Sequence, residues 1–244
     1  LQAGASMGGP LIKNRMTFLG SYEYNGQDRD KSVFFGGSPS RPGQDLTPFL
    51  GTFLSPFRSH LGFAKVTYQP GSGQTVDLSY SLRHETEEKD FGDQRSQESA
   101  NNFKVDVNTV TLRHMAARPS WLNEANVTVQ RFRWKTLPLN PDLIGQDFQG
   151  VLRIGGADTE QLFQQDRLAL RDDYTRYAQW HGKHAVKVGG VLSRMKYDVT
   201  KFFTANPVFN YRSSENFAFP FEAQFGSGDP TLNASNTQVG VYLQ

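Results

Sequence analysis

Two histidines separated by two residues, His181 and His184, are the side chains that most resemble part of a metal site. Imidazole nitrogens bind zinc, but a protein zinc site takes three or four protein ligands, and no third ligand lies near this pair in the sequence. Gly182 lies between the two histidines and favours a tight turn. We therefore interpret the pair as part of a turn and predict no metal site.

A run of carboxylates is the second group that could do chemistry, by holding calcium. Its members are Glu85, Glu87, Glu88, Asp90 and Asp93. Calcium loops space their acidic ligands around a pivoting glycine, and this run lacks that spacing, so we interpret it as a solvated loop. The chain also has no cysteine, which excludes thiol catalysis and disulfides. We predict that the protein is not an enzyme and needs no cofactor.

Composition excludes several classes of protein. The chain has 244 residues, with 26 Lys and Arg against 24 Asp and Glu. The basic residues are scattered, so no strong positive field points to nucleic acid, and we predict no nucleic-acid partner. A 13% aromatic content is too high for an ordinary disordered chain. No stretch approaches the roughly 20 consecutive apolar residues of a transmembrane helix.

The recurring pattern is an alternation of apolar and polar residues over about ten positions, which predicts strands with one apolar face. The clearest runs cover residues 15–24, 75–84, 184–193 and 238–244. Less regular runs occur at residues 1–7, 62–68, 108–113, 124–134 and 164–179. In the run 124–134 the apolar set changes phase at Phe132, which indicates either a β-bulge or a strand that leaves its apolar surroundings.

The connections between these strands alternate strictly between short and long. The short ones are residues 8–14, 70–73, 119–122 and 181–183, and the long ones are residues 26–57, 89–101, 137–160 and 204–236. Short turns at one end and long loops at the other are typical of a transmembrane β-barrel. Lipid requires every backbone polar group to be paired, so a sheet crosses a membrane only when it closes.

The charged residues support a barrel, because they share a face with the polar residues of each strand. Lys or Arg on the lipid face near the bilayer midplane costs about 2–4 kcal/mol. We therefore predict an all-β fold, an antiparallel meander of about eight or nine strands that forms part of a large transmembrane β-barrel. The residues predicted to line its lumen are Asp77, Arg83, Thr111 and Lys187. Aromatic residues at strand ends favour the same fold, although a soluble β-sandwich also alternates.

Four segments resemble, in order, the Oar-like subgroup of TonB-dependent outer-membrane receptors. The segment 7–24 begins Met-Gly-Gly-Pro-Leu-Ile-Lys-Asn-Arg and is similar to a hairpin of that family. Residues 180–190, Trp-His-Gly-Lys-His-Ala-Val-Lys-Val-Gly-Gly, are similar to a family turn and strand, although Val186 and Val188 stand where the family often has Phe. Residues 122–124 and 236–244 are similar to two further strands.

This resemblance implies a barrel of about 22 strands with a plug in its lumen, of which residues 1–244 are a fragment cut at both ends, without the plug and the remaining strands. It implies a location in the outer membrane of a Gram-negative bacterium, contact with outer-membrane lipid, and uptake of a bulky, scarce ligand such as a siderophore, oligosaccharide or peptide. The implied partners are the protein's own plug domain and the TonB complex of the inner membrane. The alternatives are a passive porin-type channel and a soluble β-sandwich that serves as a binding or adhesion module.

The long connection 204–236 is unusually rich in aromatic residues. Its predicted ligand-binding residues are Phe209, Tyr211, Phe217, Phe219, Phe221 and Phe225. Exposed rings supply rigid contact area for recognition. The alternative is that these rings pack against one another within the loop, as long surface loops often do.

Overall fold

The computed structural model describes all 244 residues, and its regular structure is almost entirely β. The main-sheet strands are β1 (Gln2–Ile12), β2 (Met16–Val33), β3 (Gly51–Tyr68), β4 (Gln74–Lys89), β5 (Asn101–Arg118), β6 (Trp121–Pro138), β9 (Glu160–Gln179), β10 (Lys183–Phe202) and β13 (Thr231–Leu243). These nine strands pair as an antiparallel meander in that order. The all-β meander and its number of strands are therefore confirmed. No helix has the length and apolarity needed to cross a membrane.

Most strands are longer than the alternation predicts. Strand β2 has 18 residues, and β9 and β10 have 20 each, whereas about 9–11 residues suffice to cross a bilayer. The excess lies at the end with the long connections, so the connection predicted at 26–57 shortens to 34–50. Alternation weakens there because neither face of these extensions is uniformly apolar.

Register places apolar side chains of neighbouring strands side by side on one face, called here the Leu78 face. One row across eight strands consists of Phe18, Val66, Leu78, Leu112, Val127, Leu170, Leu192 and Val239. Many residues of this face are exposed, and Leu78 itself is 50% exposed. A soluble sandwich would bury these side chains under a second sheet, and no such layer covers them.

The opposite side of the sheet, called here the Asp77 face, carries a row in which six of seven residues are polar. This row consists of Lys65, Ser79, Thr111, Thr128, Ala169, Ser193 and Gln238, with Ala169 the exception. The two faces therefore differ in chemistry across most of the sheet, as period-two patterning requires.

The phase change at Phe132 is a change of face without a bulge. Strand β6 keeps an unbroken register with β5 from Trp121 to Pro138, so the predicted bulge is wrong. Ala125, Val127 and Val129 lie on the Leu78 face, whereas Phe132 and Trp134 lie on the Asp77 face. Strands β3, β5, β9 and β10 make the same switch toward their long-loop ends. The strands thus leave the apolar band, which was the second of the two interpretations.

All four long connections gather at one end and pack into a cap. Part of the cap is a second sheet of four short strands, β7 (Gly145–Phe148), β8 (Leu152–Ile154), β11 (Val208–Tyr211) and β12 (Glu222–Gln224), in the order β12-β11-β7-β8. Its buried core consists of Val33, Leu46, Phe91, Ala100, Phe148, Val151, Leu152, Ile154 and Phe217. The four short turns lie at the opposite end, so the predicted sorting of connections is confirmed.

Candidate functional site on the Asp77 face and the cap

The four residues predicted to line a lumen all lie on the Asp77 face, but they do not form one cluster, because Lys187 is on β10, four strands from Asp77 and Arg83 on β4. Asp77 accepts a hydrogen bond from the Thr67 hydroxyl at 2.6 Å, and the Thr111 and Thr128 hydroxyls are 3.3 Å apart. The other two predicted residues form ion pairs, Arg83 with Glu85 at 2.6 Å and Lys187 with Asp173 at 3.6 Å. Most of these contacts link neighbouring strands. The polar side chains of this face therefore form hydrogen bonds and ion pairs with one another.

A charged cluster around Asp173 joins β9, β10 and β13 on this face. The Asp173 side chain is 8% exposed and accepts hydrogen bonds from Tyr242 Oη at 2.5 Å and Arg171 Nε at 3.0 Å. Lys187 Nζ lies 3.6 Å from the same carboxylate. Gly189 lies between them, and a Cβ there would come within 2.4 Å of Asp173 Oδ1 and 2.6 Å of the Tyr242 ring. Only glycine leaves room for this cluster.

A patch of five aromatic rings follows the polar rows toward the cap. Its members are Phe103, Phe132, Trp134, Phe163 and Tyr197. Centroids of neighbouring rings lie 5.9–6.3 Å apart, within the range of favourable aromatic contacts. All five rings are half-buried, so they keep surface for a ligand. The phase change at Phe132 is the sequence signal for this patch, although alternation alone does not distinguish a binding surface from a strand end.

The six aromatic residues predicted to bind ligand in the last long connection divide into two groups. Phe217 is buried in the cap core, and Tyr211 stacks on Phe148 with a centroid distance of 4.8 Å. Phe209 is half-buried and contacts Phe225 edge to face. The remaining residues, Phe219, Phe221 and Phe225, are exposed, and their ligand role stays a prediction.

A cleft of about 580 Å³ in the cap carries two neighbouring arginines. Arg153 pairs with Asp158 at 2.8 Å, and Arg95 reaches the same carboxylate only at 4.0 Å. Burial, followed by the charge of Arg153, lowers the pKa of Arg95. Burial raises the pKa of Asp147 above its ordinary value, although both arginines oppose the shift. The cleft could hold an anionic group of a ligand.

The histidine pair and the acidic run, which were considered as metal ligands, make ordinary structural contacts. His181 and Gly182 both have positive φ and form the β9–β10 turn, while a ring nitrogen of His184 lies 2.7 Å from the Trp180 carbonyl oxygen. In the acidic run, Glu87 pairs with Arg29 at 2.8 Å. The turn interpretation of the histidine pair agrees with this geometry.

The fold is similar to that of a known membrane protein. The outer membrane transporter YddB from Escherichia coli matches with a TM-score of 0.67 and 8% sequence identity, over 99% of this chain and 31% of YddB. This chain therefore spans less than a third of the length of that transporter. No family model matches the sequence, and a comparison with curated proteins finds no match. At this identity the likeness establishes the fold alone: the chain folds like part of an outer-membrane transporter.

Proposed function

We propose that residues 1–244 form part of the barrel of a TonB-dependent outer-membrane transporter, which takes up a bulky ligand across the outer membrane of a Gram-negative bacterium. The observation that carries this proposal is the uncovered apolar Leu78 face on a meander whose long loops all lie at one end. Soluble monomers rarely expose a contiguous apolar patch of this extent, whereas lipid covers it at no cost. The Asp77 face then lines the lumen.

The free edges of the sheet support a larger barrel. Strands β1 and β13 each pair on one side only, and an open edge has no hydrogen-bond partners in lipid. Further strands of the complete protein would close the wall, and about 22 strands would enclose a lumen wide enough for a plug. In this proposal the plug and the TonB complex are the partners, with a role in transport and not in catalysis.

The ligand would first meet the exposed phenylalanines of the cap and then the aromatic patch on the Asp77 face. Both offer flat apolar surface, and the polar rows further along offer hydrogen bonds. This order of surfaces suits a siderophore, an oligosaccharide or a peptide. Within the family, the Oar-like subgroup is favoured by Gly189 and Gly190, which match its turn-and-strand motif and of which Gly189 has a steric reason to be glycine.

Two measurements on the complete protein that contains this chain test the proposal. Membrane fractionation should recover it in the outer membrane, and an alkaline wash should not release it, whereas a soluble sandwich would be released without detergent. A planar bilayer in potassium chloride should then show no steady conductance, because a plug closes the lumen. Open-channel conductance by the purified protein would instead establish the passive porin.

A further inference from the structure

A group of cations lies on the Leu78 face, immediately beyond its apolar rows on the cap side. We call it the basic belt, and its members are Lys104, Arg131, Arg133, Lys135, Arg194 and Lys196. It begins where the apolar residues switch to the Asp77 face. In a membrane this is the level at which acyl chains end and headgroups begin.

Register fixes how the belt meets the apolar band. Val129 and Leu168 pair with each other, and Leu168 pairs in turn with Arg194. In the next row of this face, Arg131 and Lys196 flank Asp166. The three strands span about 10 Å at about 4.8 Å per strand. An open groove of about 730 Å³ runs along these residues.

Most of these cations lack a counter-charge in the protein. Arg131 pairs with Asp166 at 2.7 Å, and Arg133 donates to the amide oxygen of Gln164 at 2.8 Å. The other four have no carboxylate oxygen within 4.0 Å. Asp106, Asp166 and Asp198 share these rows, so cations outnumber carboxylates by six to three.

The cross-strand pair of Lys104 and Lys135 is a separate indication that the basic belt binds an anion. They are direct cross-strand partners, and like charges placed opposite each other destabilise a sheet. Neither lysine has a carboxylate that would relieve the repulsion. An external anion between them would convert this cost into a favourable interaction.

We propose that the basic belt binds the phosphate groups of an outer-leaflet glycolipid of the lipid A type, whose acyl chains cover the apolar rows beside it. Arginine binds phosphate through two parallel hydrogen bonds, and basic clusters at the edge of an apolar band recruit anionic headgroups. A lipid satisfies both surfaces at once, whereas free phosphate would satisfy only the belt. The inference rests on the proposed function only in requiring that the Leu78 face meets lipid.

The opposite rim supplies a matched control. Arg118 donates a hydrogen bond to the Ser72 carbonyl, and Arg176 donates one to the Ser120 hydroxyl. These two cations at the short-turn end are therefore already hydrogen-bonded to residues of the turns. Lys183 lies in the same turn region. Replacing these three by Gln removes as much charge as replacing Arg133, Arg194 and Lys196, but at the other side of the apolar band.

The test uses the complete protein in detergent micelles doped with lipid A, with retained lipid counted by native mass spectrometry. We expect the triple variant R133Q/R194Q/K196Q to bind lipid A roughly 100-fold more weakly, while the control R118Q/R176Q/K183Q binds like the wild type. Lipid A stripped of both phosphates should bind the wild type as weakly as lipid A binds the triple variant. Millimolar inorganic phosphate should not compete.

Three outcomes would overturn the inference: undiminished binding by the triple variant, equal binding of dephosphorylated lipid A, or displacement of the lipid by inorganic phosphate. Equal loss in both triple variants would also overturn it, because binding would then depend on net charge alone. The failure of the transporter proposal would look different, since a soluble protein would retain neither lipid nor a detergent belt in any variant.

Discussion

Replacement of Gly189 by alanine tests the packing of the Asp77 face most directly. The new methyl group would lie 2.4 Å from Asp173 Oδ1 and 2.6 Å from the Tyr242 ring, well inside contact distance. The hydroxyl of Tyr242 must then leave the carboxylate, and a hydrogen bond to a charged group contributes about 1.5–3 kcal/mol. We expect Gly189→Ala to lower the free energy of unfolding by about that amount.

The neighbouring glycine provides the control. A Cβ on Gly190 would meet its nearest atom, the Gly240 carbonyl oxygen, at 3.6 Å, which is ordinary contact. The free energy of unfolding is measured by urea unfolding of the complete protein in lipid vesicles, followed by tryptophan fluorescence, and for Gly190→Ala it should be near the wild-type value. Tyr242→Phe should lower this free energy by about as much as Gly189→Ala. The double variant should lower it by less than the sum of the two single effects. Equal effects of the two glycine substitutions, or strict additivity with Tyr242→Phe, would refute this account of the cluster.

Three further predictions concern the faces and the cap. Leu170→Arg on the Leu78 face should lower the unfolding free energy in vesicles by about 2–4 kcal/mol, whereas Ser79→Arg on the Asp77 face should change it little; equal costs would show that the faces are assigned wrongly. Phe148→Ala, in the cap core, should lower the free energy of local unfolding of the cap by about 3–5 kcal/mol and make the loops sensitive to limited proteolysis. Protease resistance equal to that of the wild type would contradict the packed cap. Because the pKa of Asp147 is raised on folding, its protonated form stabilises the cap below the ordinary carboxyl pKa, and this contribution is lost as pH rises through the raised value. The difference in proteolytic half-life between Asp147→Asn and wild type should therefore grow from pH 3 to pH 7 in favour of Asn, and a flat or reversed difference would refute the burial argument.

The sequence predicted the central part of the main sheet because the two faces of each strand there have different surroundings. In β4, Val76, Leu78 and Tyr80 alternate with Asp77 and Ser79, and only a strand with two different surroundings requires this pattern. The strand extensions were missed because they lie beyond the apolar band, where both faces carry mixed residues. The cap sheet was missed because strands of three or four residues, such as Leu152–Ile154, are too short for alternation to be recognised.

The candidate site was predicted only where it followed from alternation. Alternation alone determines which face of a strand a residue lies on. It therefore predicted correctly that one face carries Asp77, Arg83, Thr111 and Lys187. The cap rings did not follow from composition, since burial of Phe217 and exposure of Phe219 depend on which side chains the other loops bring to the core. Nothing local distinguishes two phenylalanines two residues apart in an irregular segment.

Within a single strand, the apolar residues change from the Leu78 face to the Asp77 face. This change connects the aromatic patch with the basic belt, the two surfaces proposed to bind molecules. In β6, Val129 lies on the Leu78 face, and three positions later Phe132 lies on the Asp77 face. The next three residues of the Leu78 face after Val129 are Arg131, Arg133 and Lys135, which belong to the basic belt. In the proposed barrel, the same switch would place an aromatic surface toward the lumen and a cationic surface toward the headgroups. It would also mark the level of the membrane boundary along the strand.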